Sequence, residues 1–306
     1  MNNTTSLEPD SPSPVNPDSA PQGLSVVIPA FNEKDGIAEV IEQLKKDLAG
    51  ITTQKEIIVV DDGSTDGTSQ LLTTIQGIQV ISHVKNKGYG ASLKTGMKAA
   101  SHEWICITDA DGTYPNERIP DLLARMHDND MVVGSRVGSG AKIPLIRKPA
   151  KWTLNQIANY LVKVKIPDLN SGLRIFKKQV ANKFLNLLPD SFSFTTTITL
   201  AMLSNNYRVE YMPIQYHHRT GKSKIRPIHD TINFLQLIVR TILYFDPLRV
   251  FLPAGLMLIG TSCVLFLFRL AEGGGYAVTI PMFLLAGIQV LAIGMLADLI
   301  VKRMKL

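Results

Sequence analysis

The chain has 306 residues, a formal net charge of +6 and 45% hydrophobic residues, which allows one sizeable domain with additional segments. Its two cysteines, Cys106 and Cys263, exclude a disulfide framework and a cysteine-based metal site. The positive charge suits an anionic membrane surface. We do not expect a nucleic-acid partner, because no basic patch is interleaved with aromatic residues.

Residues 1–22 are rich in Pro, Ser and Asn and contain no Lys or Arg. Such a composition buries too little apolar surface to offset the entropy lost on ordering, so we predict a disordered tail. The segment also lacks the basic start and apolar centre of a signal peptide. The folded catalytic domain is predicted to occupy residues 23–226.

From residue 24 onward, short apolar runs alternate with segments of helical periodicity, which predicts alternating strands and helices. The predicted strands are 24–29, 56–60, 78–82, 103–108 and 131–134, and the helices are 35–48, 69–75, a segment ending at 100, and 117–127. This order predicts an α/β fold with a mostly parallel sheet covered on both faces. Beyond residue 140 the alternation loosens, with helices predicted at 152–164, from 178 and at 195–204, and strands at 171–176 and 209–215.

Polar residues follow three of the predicted strands, at the point where each strand ends. They are Asn32 and Glu33 after the first strand, Asp61 and Asp62 after the second, and Asp109 and Asp111 after the fourth. In open α/β sheets, ligands bind beyond the carboxyl ends of the strands. The sequence therefore predicts a ligand site at this edge.

Asp109 and Asp111 form an Asp-x-Asp pair. On an extended strand, residues two apart face the same side, so both carboxylates would point at one ligand. Oxygen ligands favour Mg²⁺ or Mn²⁺, and magnesium combines one or two carboxylates with substrate phosphates. A solvated turn is the alternative interpretation of this pair. The glycine-rich stretch NKGYG matches neither the dinucleotide-binding nor the P-loop motif.

Two uncharged segments, 250–268 and 277–297, are each about the 20 residues needed to cross a bilayer core. We predict two transmembrane helices in 250–306 joined by a short hairpin, with a pair of buried core helices as the alternative. Residues 227–249 precede them, and within this segment 227–244 has the pattern of an amphipathic helix at the membrane surface. An ordinary packed surface helix is the alternative there.

The charges flanking the two spans predict their orientation. Arg240 and Arg249 precede the first span, and Lys302, Arg303 and Lys305 follow the second. The positive-inside rule then places both ends and the catalytic domain in the cytoplasm, with the hairpin outside.

Small residues in the spans would also allow two copies of the chain to associate through close approach of their helices, with glycines that face lipid as the alternative. They are Gly255, Gly260, Gly287 and Gly294.

Five stretches occur in a fixed order: VVIPAFNE, IIVVDDGSTDGT, NKGYGASLKTG, DADGTYP and GSR. Together they resemble the family-2 glycosyltransferases, in particular those that transfer a sugar to a polyprenyl phosphate such as dolichyl or undecaprenyl phosphate. The resemblance implies a GT-A fold, a nucleotide-sugar donor and an inverting displacement. It implies a metal at Asp109 and Asp111. It implies nucleotide-sugar binding by Pro29, Ala30, Asn32, Glu33, Asp61, Asp62, Gly88, Asp109, Ala110 and Asp111.

A lipid phosphate acceptor carries its own negative charge, so it needs cations to hold it rather than a general base. The candidate acceptor-phosphate ligands are Ser135, Arg136, Arg147, Arg219, Lys222 and Lys224, with solvated surface charges as the alternative. Asp168 resembles an acidic residue of the family and would orient the acceptor, orient an arginine or act as a helper base. A purely structural role for Asp168 is the alternative. The catalytic candidates are therefore Asp111, Arg136 and Asp168.

The chain departs from many mannosyl members, which have Leu-Gln where this chain has Gly112 and Thr113. The metal contact that this Gln would make in those members would here be made by Thr113 or by water, or would be missing. The signature of processive synthases is missing, so we expect one hexose per turnover, from a donor of the UDP-glucose or GDP-mannose type. The alternatives are a hydroxyl acceptor on a lipid, glycan or protein, and a noncatalytic scaffold that binds nucleotide sugar. The histidines are interpreted as surface residues.

Overall fold

A seven-stranded mixed sheet organises the N-terminal part of the chain in the computed structural model, which describes residues 23–136, 166–216, 243, 246–272 and 278–304. The strands are β1 (Gly23–Ala30), β2 (Gln54–Asp61), β3 (Gln79–Ser82), β4 (Trp104–Ile107), β5 (Met131–Arg136), β6 (Arg174–Lys177) and β7 (Val209–Ile214). Their order in the sheet is β3-β2-β1-β4-β6-β5-β7. Strand β6 runs antiparallel to β4 and β5, and the other pairs are parallel. The predicted mostly parallel sheet is confirmed.

Helices cover both faces of this sheet. They are α1 (Ile37–Leu48), α2 (Thr68–Thr74), α3 (Tyr89–Ala99), α4 (Ile119–Ala124), α5 (Lys178–Lys183) and α6 (Phe194–Ser204). Alternate residues of β1 enter opposite cores: Val26 packs with Ile37 and Ile41 of α1 on one side, and Val27 packs with Leu93 of α3 on the other. The continuous apolar run of β1 thus reflects burial on both faces.

Two predicted elements are shorter than the sequence indicated. The helix expected at 117–127 is a 3-10 turn, Asn116–Arg118, followed by α4, which has Pro120 in its first turn and ends at Ala124. The strand expected at 171–176 begins only at Arg174. Before it, Gly172 N–H donates to the Tyr114 hydroxyl at 2.6 Å, so the backbone there bonds to a side chain instead of a neighbouring strand.

The glycines that open α3 allow another backbone to approach closely. Gly90 N–H donates to Asp190 O at 2.9 Å, and a Cβ at Gly90 would overlap Pro189 O. Gly88 has φ +104, and a Cβ there would overlap Asp190 O. These glycines therefore accommodate the segment that connects α5 to α6, about a hundred residues further along the chain.

Gly90→Ala is expected to lower the free energy of unfolding by about 1–3 kcal/mol, because the added methyl group overlaps a backbone oxygen that cannot rotate away. Thermal unfolding of the full-length protein in detergent, followed by near-UV circular dichroism, measures the effect. Gly50→Ala is the matched control, since no atom of the residues that the structure describes lies within 4 Å of a Cβ at that position. Equal unfolding midpoints for the two variants would contradict the close approach at Gly90.

The C-terminal part of the described chain is a pair of long antiparallel helices, α7 (Leu248–Glu272) and α8 (Thr279–Met304). Within them, Leu248–Ala271 and Thr279–Arg303 are long and apolar enough to cross a membrane. At 1.5 Å per residue a 24-residue span is about 36 Å long, which exceeds a hydrocarbon core of about 30 Å. Large apolar side chains such as Met257 and Leu267 are exposed, which contradicts the alternative of buried core helices.

Small residues hold the two long helices together. A Cβ at Gly255 would lie 3.1 Å from Gly287 O, and one at Gly294 would overlap Cβ of Phe251. Ser262 Oγ also donates to Ile280 O at 2.8 Å. Three of the four glycines predicted to mediate oligomer contacts thus pack inside one hairpin, whereas a Cβ at Gly260 would have no atom of the described residues within 4 Å. The homo-oligomer remains a prediction.

Several predictions lie outside the described residues: the tail at 1–22, the helix at 152–164, most of the amphipathic segment at 227–249 and most of the hairpin predicted at 272–276.

Candidate active site

The polar residues at the strand ends come together at one edge of the sheet. Ala30 at the end of β1 pairs with Asp61 at the end of β2, and Val27 pairs with Ile107 at the end of β4. The residues that follow these three strands therefore share the carboxyl edge, as the sequence predicts. Pro29 and Ala30 are the last residues of β1 itself.

The loops after β1 and β2 are hydrogen-bonded to each other. Asn32 has φ +56, and its Oδ1 accepts from Thr65 N–H at 2.8 Å while its own N–H donates to Ser64 Oγ at 3.0 Å. Glu33 N–H donates to Thr68 Oγ1 at 3.0 Å. Asn32 and Glu33, both predicted to bind nucleotide sugar, thus lie in a loop braced by the neighbouring loop.

Asp61 and Asp62 are almost fully buried and organise backbone around them. Asp61 accepts from Ser64 N–H at 3.1 Å and from the Ser69 hydroxyl. Asp62 accepts from Lys87 N–H at 2.9 Å and Gly88 N–H at 2.8 Å, so it holds the glycine loop before α3. Both side chains shape the site through these bonds.

His83 is a buried residue of the site that the sequence pattern did not single out. Its Nδ1 lies 2.7 Å from Asp62 Oδ1 and its Nε2 lies 2.9 Å from Thr95 Oγ1, so the interpretation of a surface histidine is wrong here. The ring couples Asp62 to the middle of α3. Its position directly after the third strand, at the same edge as the aspartates, was the available signal.

Asp109, Ala110 and Asp111 lie in a turn rather than on a strand. Strand β4 ends at Ile107, and Gly112 in the turn has φ +68. The argument from alternating strand faces is therefore wrong, although both aspartates lie at the predicted edge. Thr113 donates to Asp111 Oδ1 through its N–H at 3.2 Å and its hydroxyl at 2.6 Å. Thr113 thus orients Asp111.

Asp109 is enclosed from two sides. The Tyr89 hydroxyl donates to Asp109 Oδ1 at 3.1 Å. On the other side a Cβ at Gly172 would lie 3.0 Å from Oδ2 and 3.1 Å from Oδ1, so only glycine leaves this space open. Burial, reinforced by the nearby Asp109 charge, raises the pKa of Tyr89 well above its ordinary value. The phenol therefore stays protonated and donates near neutral pH.

The Asp109–Asp111 turn fits a hard divalent cation, because it offers carboxylate oxygens beside a space that a Cβ at Gly172 would fill. Among the described residues, no group of three or more His, Cys, Asp or Glu side chains could hold a metal ion. Two carboxylates alone leave coordination positions for substrate oxygens. This is the pattern of a Mg²⁺ or Mn²⁺ site completed by a diphosphate.

Arg136 and Asp168 form a two-pronged ion pair. Arg136 Nε donates to Asp168 Oδ2 at 2.7 Å, and an Nη donates to Oδ1 at 2.8 Å. Burial alone would raise the pKa of Asp168, but the hydrogen bonds and charge of Arg136 outweigh it and hold the pKa below the ordinary value. Asp168 is thus a weak proton acceptor and a firm support for Arg136.

Aromatic rings connect this ion pair to the Asp109 turn. The Arg136 guanidinium lies 5.5 Å from the ring centre of Tyr216, which contacts Tyr114 edge-on at 5.2 Å. Tyr114 accepts the Gly172 N–H described above, next to Asp109. Two tyrosines thus connect the Arg136 guanidinium to the Asp109–Asp111 turn, which we call the acidic turn, at the carboxyl edge of the sheet.

Arg174 is fully buried beneath the turn that contains Asp168, and it too was absent from the predicted site residues. Its guanidinium donates to Ser171 O, to Thr195 O at 2.9 Å and to Thr199 Oγ1 at 2.7 Å. Burial lowers its pKa. It ties the 168–172 turn to α6. An arginine inside the apolar run GLRIF was the sequence signal.

Among the remaining acceptor-phosphate candidates, Ser135 is buried in β5, next to Arg136. The others lie outside the described residues: Arg147, Arg219, Lys222 and Lys224.

Comparison with known proteins matches both parts of the chain. Residues 25–185 match the model of Glycosyl transferase family 2, and residues 246–302 match the model of the GtrB C-terminal hairpin. The second match, with the exposed apolar helices, confirms the predicted pair of transmembrane helices.

Two curated proteins are similar over most of their length. The dolichyl-phosphate hexose transferase of Haloferax volcanii is 28% identical over 206 residues, covering 67% of this chain and 87% of that protein. The undecaprenyl-phosphate 4-deoxy-4-formamido-L-arabinose transferase of Klebsiella pneumoniae is 28% identical over 295 residues, covering 90% and 88%.

A solved structure shares the fold. Glucosyl-3-phosphoglycerate synthase from Mycobacterium tuberculosis, in complex with Mn²⁺, UDP-glucose and phosphoglyceric acid, has a TM-score of 0.57 at 19% identity. The match covers 72% of this chain and 80% of that chain. The GT-A fold implied by the motifs is thereby confirmed.

Proposed function

The chain belongs to Glycosyl transferase family 2, and from this premise we propose that it transfers one hexose from a nucleotide sugar to a polyprenyl phosphate. The observation that carries the choice of acceptor is the Arg136–Asp168 pair. It offers a preoriented guanidinium suited to a phosphate, while the carboxylate that could deprotonate a hydroxyl is engaged and has a lowered pKa. The names of the two curated relatives support the same acceptor class.

In the proposed reaction, an oxygen of the acceptor phosphate attacks the anomeric carbon and the bond from that carbon to the diphosphate breaks, with inversion. No proton has to be removed, because the attacking oxygen is already anionic. Arg136 holds the acceptor phosphate, and Asp168 holds Arg136. Asp109 and Asp111 would bind Mg²⁺ or Mn²⁺, and the cation supplies charge stabilisation on the departing diphosphate.

The remaining nucleotide-sugar residues act as a frame in this proposal. Asn32 and Glu33 present the loop after β1, while Asp61, Asp62 and Gly88 set the neighbouring loops through their hydrogen bonds. A solved GT-A relative contains Mn²⁺ and UDP-glucose, which supports a divalent cation and a nucleotide-sugar donor. The donor is of the UDP-glucose or GDP-mannose type.

Membrane attachment brings the site to its acceptor. In this proposal the two apolar helices insert in the bilayer, and the basic residues that flank them support a catalytic domain on the cytoplasmic side. A lipid phosphate at that leaflet is then presented next to the domain. Association of copies through the remaining outward faces of α7 and α8 is compatible with this arrangement.

Transfer of radiolabel from a panel of UDP- and GDP-sugars to polyprenyl phosphate tests the proposal, with purified full-length protein in detergent. We expect one donor to give one labelled lipid, formed with Mg²⁺ or Mn²⁺ and not after chelation. Label on diacylglycerol or on a protein would instead show a hydroxyl acceptor. Nucleotide-sugar binding without any transfer would favour a scaffold.

A further inference from the structure

One contact at the acidic turn has no part in the proposed reaction. The Tyr89 hydroxyl donates to Asp109 Oδ1 at 3.1 Å, across from α3 to the turn after β4. Tyr89 is the first residue of α3, directly after the glycine loop that Asp62 holds. A side chain so placed acts on one of the two carboxylates proposed to bind the cation.

The Tyr89 ring is itself held in place by a distant segment. Residues 189–192, which we call the strap, run across the start of α3, and Asp190 O accepts from Gly90 N–H at 2.9 Å and Ala91 N–H at 3.2 Å. Lys94 Nζ adds an ion pair to Asp190 Oδ1 at 2.8 Å. At the end of the strap, Phe192 stacks on Tyr89 with 5.4 Å between ring centres and 17° between planes.

Phe192 is 79% exposed, which is unusual for a large aromatic side chain in a fixed contact. Among the ring contacts of the described residues, Phe192 takes part only in the stack on Tyr89. The stack restricts the Tyr89 ring to an orientation that aims its hydroxyl at Asp109. Stacked aromatic pairs have an energy of interaction beyond the area they bury, and this energy biases the ring toward one orientation.

The backbone of Gly172 borders the opposite side of Asp109. Gly172 lies so near that a Cβ would come within 3.1 Å of both carboxylate oxygens, and its N–H is fixed by the Tyr114 hydroxyl at 2.6 Å. The carboxylate therefore sits between a hydroxyl donor and a backbone surface. Removing the hydroxyl removes the donor that fixes Oδ1, so the carboxylate gains freedom to rotate about its last torsion.

We propose that Tyr89 is a positioning residue that orients Asp109 toward the divalent cation, and that the strap residue Phe192 fixes Tyr89 for this task. The inference rests on the proposed function, because it takes Asp109 as a cation ligand. Partners that orient a metal ligand commonly contribute 10- to 100-fold to metal affinity or activity, which is about the size of effect expected here.

The test measures Mn²⁺ affinity directly, by isothermal titration of the full-length protein in detergent with saturating UDP. We expect Tyr89→Phe to raise the Kd for Mn²⁺ by about tenfold. Phe192→Ala should raise it by about threefold, because the hydroxyl remains but the ring is less restricted. At saturating Mn²⁺, kcat of Tyr89→Phe should recover to within about twofold of the parent protein, as expected for a residue that orients a ligand without touching substrate.

Tyr207→Phe is the matched control. Its hydroxyl accepts from Lys183 Nζ at 3.2 Å, and its ring contacts Phe184 edge-on at 5.9 Å between centres, so it also loses one hydrogen bond beside an aromatic pair. It has no contact with the acidic turn among those described, and its Kd for Mn²⁺ should equal that of the parent protein. An unchanged Kd for Tyr89→Phe would overturn the inference.

Asp109→Asn separates the inference from the function on which it rests. If Asp109→Asn abolishes Mn²⁺ binding while Tyr89→Phe leaves the Kd unchanged, the cation site stands and the role of Tyr89 is wrong. If Asp109→Asn also leaves Mn²⁺ binding unchanged, the proposed cation site itself is wrong. Equal unfolding midpoints for parent and variants show that each Kd reports the site rather than the fold.

Discussion

Asp111→Asn is expected to lower kcat by about 1,000-fold, equivalent to roughly 4 kcal/mol of transition-state stabilisation. The substitution removes the negative charge of a proposed cation ligand and so weakens binding of the cation. The departing diphosphate needs that cation most as its own negative charge develops. The turn itself should persist. The amide oxygen of Asn can accept the same two bonds that Thr113 donates to Asp111 Oδ1, at 3.2 Å from N–H and 2.6 Å from the hydroxyl.

Steady-state transfer to polyprenyl phosphate, over a series of Mn²⁺ concentrations, measures this effect. Asp121→Asn is the control, because Asp121 is an exposed carboxylate on α4 that pairs with Arg118 at 3.0 Å away from the acidic turn. Its kcat should stay within about twofold of the parent. If Asp111→Asn kept more than about a tenth of the parent kcat at every Mn²⁺ concentration, Asp111 would not be a ligand of the catalytic cation.

The fold was largely predictable because its signals are local. The apolar run of β1 and the helical spacing of α1 repeat within a few residues, and each identifies its own element. The ordered motifs then place the acidic residues at the carboxyl edge of the sheet. The local pattern did not predict the exact end of β4. The chain leaves the sheet at Ile107 through a turn that Gly112 makes possible.

The parts of the site that were missed depend on contacts between distant residues. Gly88 was predicted to bind nucleotide sugar, and the space that Gly88 and Gly90 leave admits the backbone of Pro189 and Asp190. His83 is buried because Asp62 and Thr95 supply partners for both ring nitrogens. The position of His83 directly after the third strand was the available signal, but its burial depends on partners that are distant in sequence.

The role of Asp168 could not be predicted from the local sequence either, because it depends on a charge that is distant in the chain. Its motif left a catalytic base, an orienting group and a structural group as alternatives. The pairing with Arg136, 32 residues earlier, decides its electrostatics, because the guanidinium lowers the pKa that burial alone would raise. A carboxylate with a lowered pKa stays ionised at neutral pH, and it loses its stabilising interaction only as the pH falls below the ordinary aspartate range.

The second large effect is expected at Arg136. Arg136→Met should lower kcat/KM for the polyprenyl phosphate by about 100-fold, or about 2.7 kcal/mol, because it removes the guanidinium charge proposed to hold the acceptor phosphate. Arg136→Lys should fall between parent and Met, since a point charge replaces the planar fork. Binding of the donor nucleotide, measured by titration, should change by no more than about twofold to threefold.

Arg125→Met is the matched control for this effect. Arg125 also pairs with a carboxylate, that of Glu210, but on the outer surface of α4 and β7, and it is about half exposed. An exposed pair of this kind contributes about 0–1 kcal/mol to stability, and its loss should leave acceptor kcat/KM unchanged. Comparable losses in Arg125→Met and Arg136→Met would mean that general destabilisation, rather than a lost phosphate contact, explains both.

Asp168→Asn then distinguishes a lipid phosphate acceptor from a hydroxyl acceptor. If Asp168 acts only through Arg136, the double variant Arg136→Met with Asp168→Asn should be no slower than Arg136→Met alone, because residues that act as a unit are not additive. The pH dependence of kcat/KM should also keep its shape in Asp168→Asn. If Asp168 were instead a base that deprotonates a hydroxyl, we would expect the reverse. Asp168→Asn would lose more kcat/KM than Arg136→Met, the two losses would multiply in the double variant, and the acidic limb of the pH profile would disappear. The ion pair seen between these side chains, with both guanidinium prongs on the carboxylate at 2.7 and 2.8 Å, favours the first outcome.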